Sequence, residues 1–201
     1  MLQGFTVAIG GVLMRNSWIG LLALVAFVSG CAGKEDASSA DPLRPVVERP
    51  TEDGLVLVEV DLNSDGQADI FNYYRERASA GRLLVKREID LNWDGRIDMT
   101  SFFDEAGALS REEIDGDFDG NVDVIDHYQG GRRVFSEVDT KFDGTWDLFK
   151  YYENGQVRRK ERDTTGDGKV DYWEYFNDKG QVAKVGRDID GDGQMDVRED
   201  R

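Results

Sequence analysis

The sequence predicts an all-β protein, a repetitive antiparallel β-meander in which β-hairpins alternate with acidic loops. Three observations predict it. A nine-residue pattern, Asp-x-(Asp/Asn)-x-Asp-Gly-x-x-Asp or close to it, opens at Asp61, Asp90, Asp115, Asp139, Asp163 and Asp188, in steps of 29, 25, 24, 24 and 25 residues. A fixed period of that size marks a repeat architecture. Each of the first five patterns is followed by a run of about five residues rich in aromatic and β-branched residues, then a Gly-containing turn, then a second run of strand length. Helix caps and sustained 3.6-residue periods are absent.

The elements follow in chain order. Residues 1–30 carry one charge, Arg15, and an apolar run from Trp18 to Val28 broken only by Gly20. That run is too short for a spanning helix and reads as a signal peptide. Arg15 stands just ahead of it, after Met14, and the first thirteen residues are uncharged, so Met14 is the expected start. The run ends Val28-Ser29-Gly30-Cys31, which resembles the lipobox of bacterial lipoproteins. The resemblance implies cleavage before Cys31 and its lipidation (a palmitate-type membrane anchor). Ala32, standing where an Asp would imply inner-membrane retention, implies the outer membrane of a Gram-negative cell envelope. Cys31 is the only cysteine, which excludes an intramolecular disulfide.

Residues 31–52 hold all three prolines, Pro42, Pro45 and Pro50, with little apolar material and no period. They read as a flexible tether. The repeat domain is expected over 53–201. In its fourth unit the loop 139–147 leads to Leu148–Tyr152, then the turn Glu153-Asn154-Gly155, then 156–162. Asn-Gly between apolar segments is a strong hairpin signal. The fifth and third units match, with turns at Asn177–Gly180 and Gln129–Gly131, and the second turns at Asp104–Gly107. The first has a longer expected turn, Arg75–Gly81, which accounts for its 29-residue step. Leu55–Val60 reads as the back half of a preceding unit. About twelve strands result. Alternation places Phe71 and Tyr73, Thr100 and Phe102, Ile125 and His127, Phe149 and Tyr151, and Trp173 and Tyr175 on one face, an expected ladder of rings across repeats.

Acidic oxygens at alternate positions around a Gly suit a hard divalent cation, and an all-oxygen ligand set favours Ca2+ over Zn2+ or Cu2+. Asp115, Asp117, Asp119 and Asp123 form the third loop and Asp188, Asp190, Asp192 and Asp196 the sixth; these two are the best. The first offers Asp61, Asn63, Asp65 and Asp69, and the second Asp90, Asn92, Asp94 and Asp98. The fifth has Asp163, Thr165, Asp167 and Asp171, with a weaker ligand in third place. The fourth has Asp139, Asp143 and Asp147 but Lys141 in third place, so weak or no binding is expected there, with the ammonium as an internal counter-ion. Several Ca2+ per chain are expected, and a fold that depends on them.

The loops resemble those of EF-hand and dockerin proteins, whose apolar eighth position corresponds here to Ala68, Ile97, Val122, Trp146, Val170 and Met195. The resemblance implies a bidentate Glu at the twelfth position, which only Glu174 and Glu199 supply. It departs in that strands, not helices, follow the loops. The stretch Tyr151-Tyr152-Glu153-Asn154-Gly155-Gln156-Val157 is similar to MORN-type hairpin repeats.

The formal net charge of −16 disfavours a nucleic-acid partner, and twenty of the 41 acidic residues lie at the repeated loop positions. His127 is the only histidine, and no nucleophile elbow, zinc motif or phosphate loop is present, so no enzyme is expected. The expected function is that of a membrane-anchored, calcium-binding repeat lipoprotein with a structural or adhesive binding role toward a protein or glycan partner. The alternative is a carbohydrate or peptidoglycan binder using the aromatic strip.

Overall fold

The computed structural model describes residues 46–78 and 81–201. The expected signal peptide, Cys31 and most of the expected tether lie outside them. Thirteen strands run β1 (Val46–Pro50), β2 (Val56–Val60), β3 (Ile70–Arg77), β4 (Gly81–Ile89), β5 (Met99–Phe103), β6 (Leu109–Ile114), β7 (Val124–Gln129), β8 (Arg132–Val138), β9 (Leu148–Glu153), β10 (Gln156–Arg162), β11 (Tyr172–Phe176), β12 (Val182–Arg187) and β13 (Val197–Asp200). They form one antiparallel sheet whose spatial order is the sequence order. The all-β meander is therefore as the repeats predict, and no helix occurs among the described residues.

Two boundaries differ from expectation. β1 lies inside the stretch read as tether, yet pairs with β2 along its whole length, from Val46 opposite Val60 to Pro50 opposite Val56. An edge strand needs ladder bonds on one side only, so a terminal proline does not forbid it. The long first step does not come from a long turn: Arg75, Glu76 and Arg77 continue β3 and pair with Leu83, Arg82 and Gly81. The extra residues lengthen two strands, whose exposed ends are tied by Arg82 to Glu48 and Glu76 at 2.7 and 2.8 Å.

The turns explain themselves residue by residue. Asn154-Gly155 and Gly130-Gly131 take positive φ at both central positions, the mirror-image turn that matches strand twist. Asp104 and Asn177 close wider turns by accepting the backbone N–H groups of Ala106 and Ala108, and of Lys179 and Gln181, at 2.9–3.0 Å. In each of the hairpins β3–β4, β5–β6, β7–β8, β9–β10 and β11–β12 the register slips by one residue near the turn, leaving Val85, Ser110, Val134, Arg158 and Ala183 as bulges. A bulge in every hairpin at the same place bends and twists the sheet uniformly.

A single layer has little core: among the described residues, the buried apolar side chains are Leu57, Leu83, Leu148, Trp173 and Val185. Cross-strand rows do the packing instead. On the front face, Tyr73, Phe102, Tyr151 and Tyr175 do not meet one another as the expected ladder required. Consecutive units lie two strands apart, and the strand between supplies Lys86, Arg111, Arg159 and Lys184. Lys86 Nζ sits 4.0 Å from the Tyr73 ring centre and 2.8 Å from Glu88, and Tyr73 donates to Glu88 at 2.7 Å. Arg159 repeats this over Tyr151, 3.8 Å from its ring, beside Glu161. Among the described residues, direct ring contacts are confined to His127, Phe135, Phe149 and Tyr151, where Phe135 replaces the cation. On the back face, a polar row through Asn72, Arg87, Ser101, Glu112, Asp126 and Ser136 runs beside an aliphatic row through Ile70, Ile89, Met99, Ile114 and Val124. Ser101 donates to Glu112, Arg87 to Asn72 and Ser136 to Asp126, so the buried Asn72, Ser101, Asp126 and Ser136 all have partners.

Candidate metal centres

All six loops have one backbone design. The fourth position is left-handed at Ser64 (φ 64), Trp93 (φ 64), Phe118 (φ 67), Phe142 (φ 58), Gly166 (φ 81) and Gly191 (φ 79). The sixth, always Gly, is left-handed as well, from φ 83 at Gly144 and Gly168 to φ 98 at Gly120. Two such residues curl the chain so that successive N–H groups point inward.

The first-position Asp occupies that curl. One oxygen accepts the N–H of the fourth residue and the other that of the sixth, at 2.6–2.9 Å in every loop, as in Asp61 with Ser64 and Gly66 and Asp188 with Gly191 and Gly193. The ninth-position Asp closes the loop from the other side by accepting N–H groups from the second and, in most loops, the third residue, as Asp69 does from Leu62 and Asn63. Position five accepts the N–H of position seven throughout, as Asp119 does from Asn121. The loops are also joined: Asp90, Asp115, Asp139, Asp163 and Asp188 each donate their N–H to the carbonyl of the preceding loop's ninth-position Asp, at 2.8–3.0 Å. First- and ninth-position Asp residues thus form one continuous line across the loop end of the sheet. Nine of these twelve, Asp61, Asp69, Asp90, Asp98, Asp115, Asp123, Asp139, Asp147 and Asp163, are buried.

The remaining acids decide where a cation fits. Carboxylate oxygens of Asp115, Asp117 and Asp119 lie within 4.8 Å of one another, as do those of Asp188, Asp190 and Asp196. These are the third and sixth loops, the two whose sequences keep an acid at all four places. Asp192 instead bonds the Gln194 backbone and side chain, and Asp123 holds Gly116 and Asp117. In the first two loops Asn63 and Asn92 stand in third place with their amides on Asp65 and Asp94. In the fourth, Lys141 Nζ lies 3.7 Å from Asp147, and Thr140 donates to both oxygens of that carboxylate at 2.8 and 3.0 Å. Asp143 accepts the Thr145 N–H. In the fifth, Thr164 does the same for Asp171, Thr165 bonds Asp163, and Asp167 accepts the Lys169 N–H. A hydroxyl in second place was not part of the sequence reading, although Thr140 and Thr164 repeat at equivalent positions.

Glu174 and Glu199 do not join their loops. β11 and β13 leave the loop fully extended, so the twelfth position lies about 10 Å along the strand from the ninth. There Glu174 pairs with Lys160 and Val185, and Glu199 with Val185, in the polar row of the back face. A helix would have carried the twelfth residue back over the loop; a strand cannot.

Electrostatics separate the positions. Burial works to raise Asp139 and Asp163, but several backbone N–H bonds together outweigh it and hold both below the ordinary carboxylate value. The Gly193 N–H does the same for Asp188. Asp117 is pushed up, by desolvation and by the charges of Asp119, Asp123 and Asp115. Asp139, Asp163 and Asp188 are anions already compensated by backbone; Asp117 is an anion at a cost, which a cation would relieve. An ion in the third or sixth loop would be held by the converging carboxylates, with oxygen ligands throughout.

No protein-family model matches this chain, and no curated protein matches it. A similar solved structure is "Crystal structure of accessory secretory protein 1,2 and 3 in Streptococcus pneumoniae", 15% identical over 62% of this chain, with a TM-score of 0.34. The match spans 20% of that chain, and at this level it says nothing about activity.

Proposed function

We propose that this chain is a calcium-binding repeat lipoprotein of the cell envelope, held by lipid on Cys31 in the outer membrane of a Gram-negative bacterium. Its role is structural or adhesive, and a stiffened single-layer sheet is what it presents to a partner. The observation that carries the reading is the convergence of three carboxylates in each of the third and sixth loops. The raised pKa of Asp117 agrees with it, since charge crowding there is offset once a cation binds. The near absence of a core makes such staples valuable. Outside the cytoplasm sites of roughly 10⁻⁴ M suffice, and one such site in about 10 mM calcium adds about 2.7 kcal/mol.

The reading is non-enzymatic. His127 Nε2 sits 2.9 Å from Glu137 beside Phe135, an arrangement suited to packing. Glycan stacking has less support, because Lys86, Arg111, Arg159 and Arg198 stand over the rings that sugars would need.

The test is to strip metal with chelator and follow circular dichroism and melting temperature while titrating Ca2+, with Mg2+ as control. A calcium-specific rise in melting temperature with at least two ions bound per chain is expected. Equal melting of stripped and calcium-loaded protein would overturn the reading.

A further inference from the structure

The loop end of the sheet carries an apolar strip that the calcium reading does not use. Trp93, Phe118 and Phe142 occupy the fourth position of three consecutive loops and are 60%, 42% and 51% exposed. All three hold left-handed backbone, which a bulky L-residue rarely adopts. Gly166 and Gly191 show what the position accepts without strain. Exposure and strain together mark side chains that folding alone does not explain. Leu62, Leu91, Ile97 and Val122 add further exposed apolar surface on the first three loops. Successive loops sit two strands apart, so the rings are spaced about 10 Å along one line.

The place where the chain enters the sheet says what lies opposite this strip. Val46 pairs with Val60, the residue immediately ahead of the first loop, so the segment from Cys31 arrives at the loop end. Val46 and Val47 are themselves exposed there. Fourteen residues lie between Cys31 and Val46, a reach of about 50 Å at most. The strip is also richest on the first four loops, the ones nearest that entry; the fifth contributes no large exposed apolar side chain and the sixth only Ile189. Large aromatic side chains at such an edge suit the boundary between headgroups and acyl chains. The same loops are acidic, so an anionic bilayer repels them until divalent ions bridge carboxylate and lipid phosphate.

We propose that the loop end docks on an anionic phospholipid surface in calcium, with Trp93, Phe118 and Phe142 entering the headgroup layer. This rests on the calcium and lipid-anchor readings above. Calcium then does two things at one edge: it tightens the loops and removes the charge barrier to the membrane. The array stands on its loops, with the turn end pointing away.

The test uses the full lipid-bearing chain in vesicles of phosphatidylethanolamine and phosphatidylglycerol with brominated acyl chains, which quench nearby tryptophan. The share due to Trp93 is the difference between the parent and Trp93→Phe. Calcium should raise the quenching of that share several-fold and chelator should reverse it. In the Phe118→Ser, Phe142→Ser double variant, with Trp93 retained, the calcium-dependent quenching should fall several-fold. Melting temperatures in the same samples separate the failures. If calcium raises the melting temperature but Trp93 stays unquenched by lipid and open to aqueous acrylamide, docking is overturned while the calcium reading stands, and the strip faces a protein partner. If calcium changes neither, both fall together.

Discussion

Asp139→Ala and Asp115→Ala form a pair that separates what the backbone does for these loops from what a metal does. Asp139 is 2% exposed and accepts N–H bonds from Lys141 at 3.0 Å, Phe142 at 2.8 Å and Gly144 at 2.7 Å. Truncation leaves three donors facing a small gap. At about 1 kcal/mol or somewhat more for each lost bond, and with water reaching part of the gap, the loss comes to about 2–4 kcal/mol. The fourth loop has Lys141 where a ligand should be, so this loss should be the same in chelator and in calcium. Asp115 makes the equivalent bonds to Phe118 and Gly120, both at 2.7 Å. Its loop also has converging carboxylates, so Asp115→Ala should cost a similar amount in chelator and more in calcium.

Urea unfolding followed by circular dichroism, run in both conditions, measures all four differences. Acid gives an internal check on Asp139. Its folded pKa lies below the unfolded value of 3.8, so its stabilisation is complete above that value and is lost as pH falls through the lower folded one. The penalty of Asp139→Ala should shrink over that acidic window and no other. A loss under about 0.5 kcal/mol for Asp139→Ala, typical of an ordinary surface position, would refute the reasoning, because the carboxylate would then be a solvated turn residue.

Other consequences follow from the same geometry. Trp93→Gly should stabilise the isolated protein by about 0.5–1 kcal/mol in urea unfolding, because relief of left-handed strain outweighs the added freedom of Gly; a destabilised variant would show that the ring packs. Gly186→Ala should lower stability by about 1–3 kcal/mol, since overpacking follows from a Cβ placed against the Met195 methyl group and sulfur and 3.0 Å from its Cγ; adding Met195→Ala should recover much of the loss. Desolvation and donation to Glu88 and Glu112 raise Tyr73 and Tyr128 to about 12, so their phenolate absorbance should appear two units later than that of free tyrosine. Because the folded values are raised, the stability these hydroxyls add is complete below pH 10 and disappears between 10 and 12.

The turns and loops of this fold are legible because single residues dictate them: Asn154-Gly155 needs two positive φ values, and each sixth-position Gly needs one. Pairing order followed at once, since a chain of short hairpins leaves sequential neighbours as the simplest partners. β1 escaped notice because Pro50 and the flanking Pro45 look like tether, and only the edge position reveals that a proline there loses nothing. The ring ladder was misjudged for a geometric reason. Reading one strand per unit ignores the strand between, and that strand carries Lys86, Arg111 and Arg159. Glu174 was drawn into its loop by counting along a helix-derived pattern, although extended backbone moves the twelfth residue away from the first.

The loop carboxylates themselves divide in a way that residue type alone does not show. All are Asp, yet five of the six in first place are buried and all six accept two backbone N–H bonds, whereas Asp117, in third place, is exposed and crowded by the charges of Asp119, Asp123 and Asp115. A loop with only the first kind, such as 139–147, is complete without an ion, and Thr140 and Lys141 finish it. In 115–123 and 188–196 a third-place Asp converges with two other carboxylates instead. The closed loop 139–147 keeps its bonds in any medium, whereas 115–123 and 188–196, the third and sixth of the series, are the ones whose carboxylates converge. The test of that division is stoichiometry: Asp117→Ala should remove one bound calcium and Lys141→Ala should remove none. Equal loss from both would mean that the loops bind as one set.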